Sequence, residues 1–540
     1  VFTQTPVPLH PDVAVELLTS AQSNSVRIDY EPNSEYLYYV RRNGNVYRLD
    51  RFSGNESIRF RSFDHGIPVP GGFAISGDST FFLSGSINSG NNAVGYVKRA
   101  APPNYNWVTV VQTEPYPRSG TDFDHWINGI AISPDGEYLF INSGSRTDHG
   151  EEQNRNGAFP GVREVPLTSA IFRVPADTQG VVLPANEQDL INSGFLYADG
   201  VRNSFDLAFG PEGDLFAAEN SGERDDGDEL NWIRQGHHYG FPWRMGTNDT
   251  PQQFPGWDPD LDPLVNPLSI AYTNGFFYDD STYPAPPSGI DFTDPIINIG
   301  PDSDRYRSEI TGDIIDASLS GDSTSSFTPH ISPLGLNFDN DSLLTGEFSG
   351  GGFVLGWTGT ATPVFEPFGD PGESLFLLQL QKNVVADRYE MSVTRLVENF
   401  LNPMDAVLVD NLLYVLEWNF VNQPRIWKVT LPTTQTSIED PLSVPMQFRL
   451  EQNYPNPFNP STVIRYAVPE NSVVQISIYN VAGQKVRTLV NKRQHAAIYS
   501  VEWDGTNDQG IPVSSGIYVY RLTTSKSSVG TIARKMVLIR

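Results

Sequence analysis

Six copies of one short pattern constrain this chain more than any bulk property. An apolar strand runs into a turn built on Asp, Asn or Gly, and a second apolar strand follows. The pattern reads VRIDYEPNSEYLYYV over 26–40, GGFAISGDSTFFLSG over 71–85, NGIAISPDGEYLFINSG over 128–144 and FDLAFGPEGDLFAAENSG over 205–222. Looser copies are LGLNFDNDSLLTGEF (334–348) and MDAVLVDNLLYVLEW (404–418). Several copies continue into a third strand, such as NVYRLD (45–50), AIFRVP (170–175) or RIWKVTL (425–431). A meander repeated six times predicts a six-bladed β-propeller, whose radial packing leaves only short edges exposed. A β-sandwich with chance turn similarity is the competing fold. The composition agrees with an all-β chain: 46 Gly and 42 Pro punctuate a sequence rich in Tyr, Phe and Val.

The copies are unevenly spaced. Long segments at about 145–204 and 244–333 interrupt them. Long loops within compact domains are commonly functional, so these are expected to be ordered loops on one propeller face. The polar, proline-bearing stretch PTTQTSIEDPLSVP (432–445) has linker character. After it, STVIRYAV (461–468), VVQISIYN (473–480), YSVEWDG (499–505), GIYVYRL (516–522) and RKMVLIR (534–540) alternate with period two. They predict a small antiparallel β-sandwich over 446–540. The expected domains are thus a propeller at 1–431, a linker at 432–445 and a sandwich at 446–540.

The net charge of −28 is unevenly divided. Residues 446–540 carry eleven Lys and Arg against five Asp and Glu, a balance of +6, which leaves −34 on residues 1–445. The acidic unit is a poor partner for nucleic acid, since phosphate binding needs clustered cations. It suits Ca²⁺, which prefers carboxylate and carbonyl oxygens. With no cysteine, disulfides and thiolate metal sites are excluded. No run of eighteen apolar residues suggests a membrane-spanning helix. The first residue is Val rather than Met, as removal of an export signal would leave it.

The string FRLEQNYPNPFNPSTVIRYAVP (448–469), with IYNVAGQKVRTLV, WDGTNDQGIPVSSGIYVYRL and KMVLIR, resembles the C-terminal sorting domain of type IX secretion cargo. The resemblance implies passage across an outer membrane by type IX machinery, to a secreted or cell-surface location. In it Pro455, Pro457 and Pro460 stiffen the first loop. Gly483, Gly505 and Gly516 suit turns, and Trp503 and Tyr518 are expected to anchor the core. Its positive charge also suits docking to an acidic neighbour or a self-assembly contact.

In the large unit, DHWINGIAISPDGEYLFINSGSRTDHGEE (124–152), DGVRNSFDLAFGPEGDLFAAENSGERDDGDELNWIRQGHHYGFPW (199–243) and PHISPLGLNF (329–338) resemble the glucose/sorbosone dehydrogenase family. Members are six-bladed propellers that often use pyrroloquinoline quinone (PQQ). The resemblance spans about 26–431 and implies oxidation of a sugar or alcohol. It places the general base at His125 and puts Arg202, with Asn203 beside it, at the quinone. It matches Glu229 and the Tyr239 carbonyl to a calcium position. The acidic loop WDPDLDP (257–263) offers Asp258, Asp260 or Asp262 as further ligands. Each residue also has a structural reading: His125 as a hydrogen-bonded loop residue, Arg202 as a partner of Asp199 or Asp206. The family's cations on the fifth and sixth blades have no counterpart in GEFSGGGFVLGWTGTA (346–361) or NPMDAV (402–407), where Asn402 stands in place of Arg, and HGIPVPGGF (65–73) lacks the family's Gln. PQQ carries three carboxylates, so the cofactor pocket reads as incomplete. The alternative function is a non-catalytic extracellular protein that binds glycan or protein, or builds a surface assembly.

Overall fold

The computed structural model describes residues 5–32, 34–358, 368–370, 372–418, 424–433, 448–450, 453, 458, 460–469, 471–494, 497–524 and 531–539. The chain divides into two compact units, Val1–Thr434 and Gln435–Arg540. Most of the expected linker, and Pro455 and Pro457, lie outside the described residues.

The first unit is a six-bladed propeller. The innermost strands of successive blades are Ser25–Tyr30, Pro70–Ile75, Ile127–Ile132, Ser204–Phe209, Pro333–Phe338 and Pro403–Val409. Each neighbours the next, and the sixth returns to the first. Within a blade the strands follow in sequence order, as in Ser25–Tyr30, Tyr36–Arg41, Val46–Asp50 and Glu56–Phe60 of blade one. Blade six is completed from the other end of the chain: Ala14–Ser20 pairs antiparallel with Arg425–Thr430 as its outer strand. The repeat pattern carries no sign of this closure, because the closing strand precedes the first copy.

The second strands read as nearly unbroken apolar runs because both of their faces are buried. In blade two, Phe81 and Leu83 face the seam with blade one, whereas Phe82 faces the seam with blade three. In blade six, Leu413 and Val415 pack toward blade five, and Tyr414 and Leu416 toward blade one. Six apolar seams result, one between each pair of consecutive blades. Each fully buried Leu, Val or Phe contributes about 1.5–3 kcal/mol, so the ring is held mainly by its seams.

Carboxylates reinforce those seams along the central channel. Asp29 of blade one accepts the backbone N–H of Ile75 in blade two at 2.6 Å. Asp206 of blade four accepts that of Leu336 in blade five at 2.9 Å. Asp405 of blade six accepts that of Ile28 in blade one at 2.8 Å. The buried Arg27 guanidinium lies 3.3 Å from Asp206 and 3.9 Å from Asp405. Burial raises all three carboxyls, Asp29 to about 7.

The fifth repeat differs from expectation. Its second strand is Gly352–Gly356, not the LLTGEF segment, which forms a turn and the 3-10 helix Gly346–Phe348. Asp339 accepts the N–H groups of Leu343 and Gly350, holding the longer loop closed. The 244–333 insertion is ordered with little regular structure. Its strand Ile297–Pro301 adds in parallel to Arg388–Glu398 of blade five.

The second unit is a two-sheet sandwich. One sheet holds Arg449–Leu450, Thr462–Val468 and Ala497–Trp503. The other orders Lys485–Gln494, Ser472–Asn480, Gly516–Thr524 and Ile532–Leu538. Trp503 and Tyr518 sit in its core with ring centroids 5.1 Å apart. Gly483 and Gly505 adopt φ of 78° and 69°, conformations that favour glycine. Lys485–Gln494 was absent from the strands expected by alternation.

Candidate functional site at the propeller mouth

The leading ends of the inner strands surround a cavity of about 530 Å³. Phe123 and His125 precede the inner strand of blade three, Arg202 that of blade four, His330 and Ser332 that of blade five, and Asn402 that of blade six. Asn220 to Glu223 and Asp228 form one wall. Trp357 and Trp418, just past the second strands of blades five and six, form another, with ring centroids 6.1 Å apart and planes at 46°. Three lining residues other than glycine take left-handed backbone conformations: His330 at φ 64°, Ser332 at 52° and Asn402 at 49°. Trp126, beside His125, does so at 47°. Such conformations cost of order 1–3 kcal/mol each and cluster at functional sites.

His125 is set by Ser145. Its backbone N–H donates to the Ser145 carbonyl at 2.9 Å, and its Nδ1 lies 3.2 Å from Ser145 Oγ. Ser145 Oγ donates its one hydrogen to the Thr147 carbonyl at 2.8 Å. It therefore acts as acceptor toward the ring, which puts the proton on Nδ1 and leaves a lone pair on Nε2. Burial, and then the Arg202 cation, hold the His125 pKa down, to about 3. The imidazole is neutral at pH 7 and able to accept a proton.

Arg202 is buried and largely spoken for. Its Nε donates to the Asp148 carbonyl at 2.8 Å and its Nη2 to Asp148 Oδ1 at 2.9 Å. Its Nη1 donates to the carbonyls of Ser221 at 2.6 Å and Asn220 at 3.2 Å. The partner is thus Asp148, not Asp199 or Asp206, because the 145–152 loop folds in beneath the mouth. Asn203, expected at the quinone, instead accepts from Asn128 Nδ2 at 2.9 Å and ties blade four to blade three.

A second histidine was not singled out from the sequence. His330 Nε2 lies 2.8 Å from Asp225, which also accepts from Arg307 Nε at 2.7 Å. Burial opposes charge on His330. The bond to Asp225 and the carboxylates of Asp225, Asp228 and Glu223 outweigh it and raise the pKa above the usual value. Burial, and then Asp148, push Glu223 up to about 7. The only sequence cue for His330 is its place in PHISPLGLNF, just before an inner strand, one residue further from the strand than His125 is in blade three.

The expected calcium ligands are not gathered. Glu229 accepts from Gly246 N at 2.6 Å and Asn231 Nδ2 at 2.7 Å, and burial and nearby Glu219 hold its carboxyl well above the usual range. Asp258 accepts from Asp260 N, Asp260 from the Tyr272 hydroxyl, and Asp262 from Arg224 and Trp257. Among the described residues no three His, Asp or Glu side chains converge as a metal-holding group. The acidic loop's carboxylates are used by its own turns and by Arg224.

Residues 85–285 match the Glucose / Sorbosone dehydrogenase family, and residues 460–528 match the FlgD Ig-like domain. The first match covers blades three and four, most of blade two and part of the 244–333 insertion, and it includes His125, Arg202 and Glu223. No curated protein sequence matches the chain. Solved structures similar to it include the PQQ-bound aldose sugar dehydrogenase from Streptomyces coelicolor, at 17% identity over 78% of this chain and 99% of that one, with a TM-score of 0.46. The soluble aldose sugar dehydrogenase from Escherichia coli, in apo form, matches at 15% over 78% and 99%, with a TM-score of 0.45. The PQQ domain of pyranose dehydrogenase from Coprinopsis cinerea matches at 12% over 79% and 97%, with a TM-score of 0.46. Among the described residues no helix is long and apolar enough to cross a membrane.

Proposed function

We propose that the propeller is an exported oxidoreductase of the sugar-dehydrogenase kind, in which His125 Nε2 takes the proton from a sugar hydroxyl. The observation that carries this reading is the opposite shift of the two mouth histidines. His125 is held neutral by burial and Arg202, whereas the bond to Asp225 and the nearby carboxylates raise His330, in one 530 Å³ cavity. Titratable groups pushed apart in this way mark division of acid and base roles. Ser145 fixes the base's tautomer, and Arg202 supplies positive charge where an alkoxide would develop.

PQQ, when bound, supplies the hydride acceptor. Trp357 and Trp418 offer flat walls for a planar ring system, and Arg202, His330 and Asn402 would meet its carboxylates. The charge is short, however. Arg202 is committed to Asp148 and three backbone carbonyls, His330 is paired with Asp225, and Glu223 and Asp228 add carboxyls to the same lining. We therefore read the pocket as one that holds a trianion weakly. The test is dye-coupled aldose oxidation by the full chain, with PQQ titrated to about 100 µM in the presence and absence of Ca²⁺. Sugar-dependent dye reduction that needs micromolar or higher PQQ supports the reading. No PQQ binding over that range, with no sugar-dependent reduction, overturns it.

The Lys- and Arg-rich sandwich is read as a type IX sorting domain, on the strength of the FRLEQNYPNPFNP string and the blocks after it. Fusion of residues 446–540 to a reporter in a bacterium with that machinery is expected to place the reporter outside the cell. Retention inside would refute the assignment.

A further inference from the structure

The wall of the mouth has a second side. Along the loop 220–228, Glu223 and Asp228 line the mouth, while Arg224, Asp225 and Gly227 line two outer cavities. These measure about 700 and 810 Å³ and meet at Thr247, Asn248 and Glu309. Each is within the size range of ligand sites. Together they form a groove across the 244–333 insertion that runs behind the residues holding His330.

The groove's chemistry is mixed in a specific way. Apolar side chains stand open on it: Phe254 is 52% exposed, Leu261 78% and Ile310 92%. Soluble chains leave such side chains out singly, whereas a row along a cleft marks a contact surface. Between them are planar polar groups. The cations are already neutralised: Arg224 by Asp226 and Asp262, Arg244 by Asp249 and Asp294, and Arg307 by Asp225. Carboxylates outnumber guanidinium groups, so an anionic ligand meets repulsion. Paired carboxylates and guanidinium groups still offer lone pairs and N–H groups to hydroxyls. Apolar faces beside hydroxyl-binding edges match a pyranose ring, whose C–H faces are apolar and whose rim is polar.

We propose that this groove binds a neutral oligosaccharide. The inference goes beyond the sugar-dehydrogenase reading: it assigns a chain-binding surface on the outer side of the mouth wall, with no lining residue in common with the mouth.

The test uses the full-length protein and isothermal titration with glucose, cellohexaose, maltohexaose and a galacturonate hexamer. At least one neutral hexaose is expected to bind roughly tenfold more tightly than glucose. The double variant Phe254→Ala with Leu261→Ser, both exposed and outside the apolar seams, is expected to lower hexaose affinity roughly fivefold and leave glucose unchanged. Hexaoses no tighter than glucose, an unaffected double variant, or a preference for galacturonate would each overturn the proposal. If glucose is oxidised in a His125-dependent way while the hexaoses gain nothing, the groove fails and the dehydrogenase reading stands. If hexaoses bind through Phe254 and Leu261 but no sugar is oxidised with PQQ, the groove stands and the dehydrogenase reading fails.

Discussion

The two ends of the six inner strands are built on different logic. At their trailing ends the chain reverses in short turns of repeating chemistry. Ser76 donates to Asp78 in blade two, and Ser133 to Asp135 in blade three, in equivalent positions. The channel is held by Asp206 and Asp405, in equivalent positions, and by Asp29, two residues further along its strand. At their leading ends the backbone repeats, with Asn24, Trp126, Ser332 and Asn402 each left-handed just before an inner strand, but the side chains do not. His125, Arg202, His330 and Asn402 come from four blades, and their partners come from loops far away in sequence, as with Arg202 and Asp148. One end makes the ring, and the other carries side chains the ring does not need.

That contrast can be broken at either end. The largest effect is expected from His125→Ala, which should lower sugar oxidation by about 10²–10⁴ with little change in the unfolding midpoint. A similar loss of midpoint would place His125 with the framework instead. Next is Asp405→Ala, which strands the N–H groups of Ile28 and Ala406 beside a buried arginine. An uncompensated buried donor costs about 1–3 kcal/mol, so chemical denaturation should show a loss of that order while activity of the folded fraction persists.

The pH dependence of the mouth separates the two ends further. Glu223 is raised from 4.5 to about 7 in the folded chain. Its contribution to stability is fully present below its unfolded pKa and is lost as pH rises through about 7. At 1.36 kcal/mol per pH unit the loss approaches about 3 kcal/mol. Glu223→Gln should flatten that part of the stability profile between pH 5 and 8, and an unchanged profile would show that Glu223 is not its source. The smallest effect is expected from Ser145→Ala. It frees the His125 ring to take the other tautomer, so turnover should fall roughly tenfold or less, and ¹⁵N shifts of the ring should report mixed tautomers. A ring that keeps its proton on Nδ1 in that variant would remove Ser145 from the mechanism.

The same contrast explains what could be read from the sequence. The turns and second strands were legible because their signals are local: SPDGE and PEGD mark reversals, and YLYYV and LLYVLE mark strands buried on both faces. The fifth blade was misplaced because its first turn is replaced by a loop through Gly346–Phe348. At the mouth, His125 and Arg202 were found through strings resembling a family. His330 was missed because its partner is Asp225, 105 positions earlier, and no local pattern reports such a pairing. The expected calcium ligands form no cluster among the described residues for the matching reason. Carboxylates spaced as ligands in WDPDLDP were already engaged by Arg224, Tyr272 and their own turn.

The outer strand of blade six has a consequence in time rather than space. Ala14–Ser20 can pair only with Arg425–Thr430, about 400 residues later. At synthesis rates of about 5–20 residues per second, its partner emerges roughly 20–80 s after it does. For that interval the chain carries an open edge, and contacts of such long sequence separation are slow to form. Closing blade six is therefore the last pairing the propeller can make during synthesis.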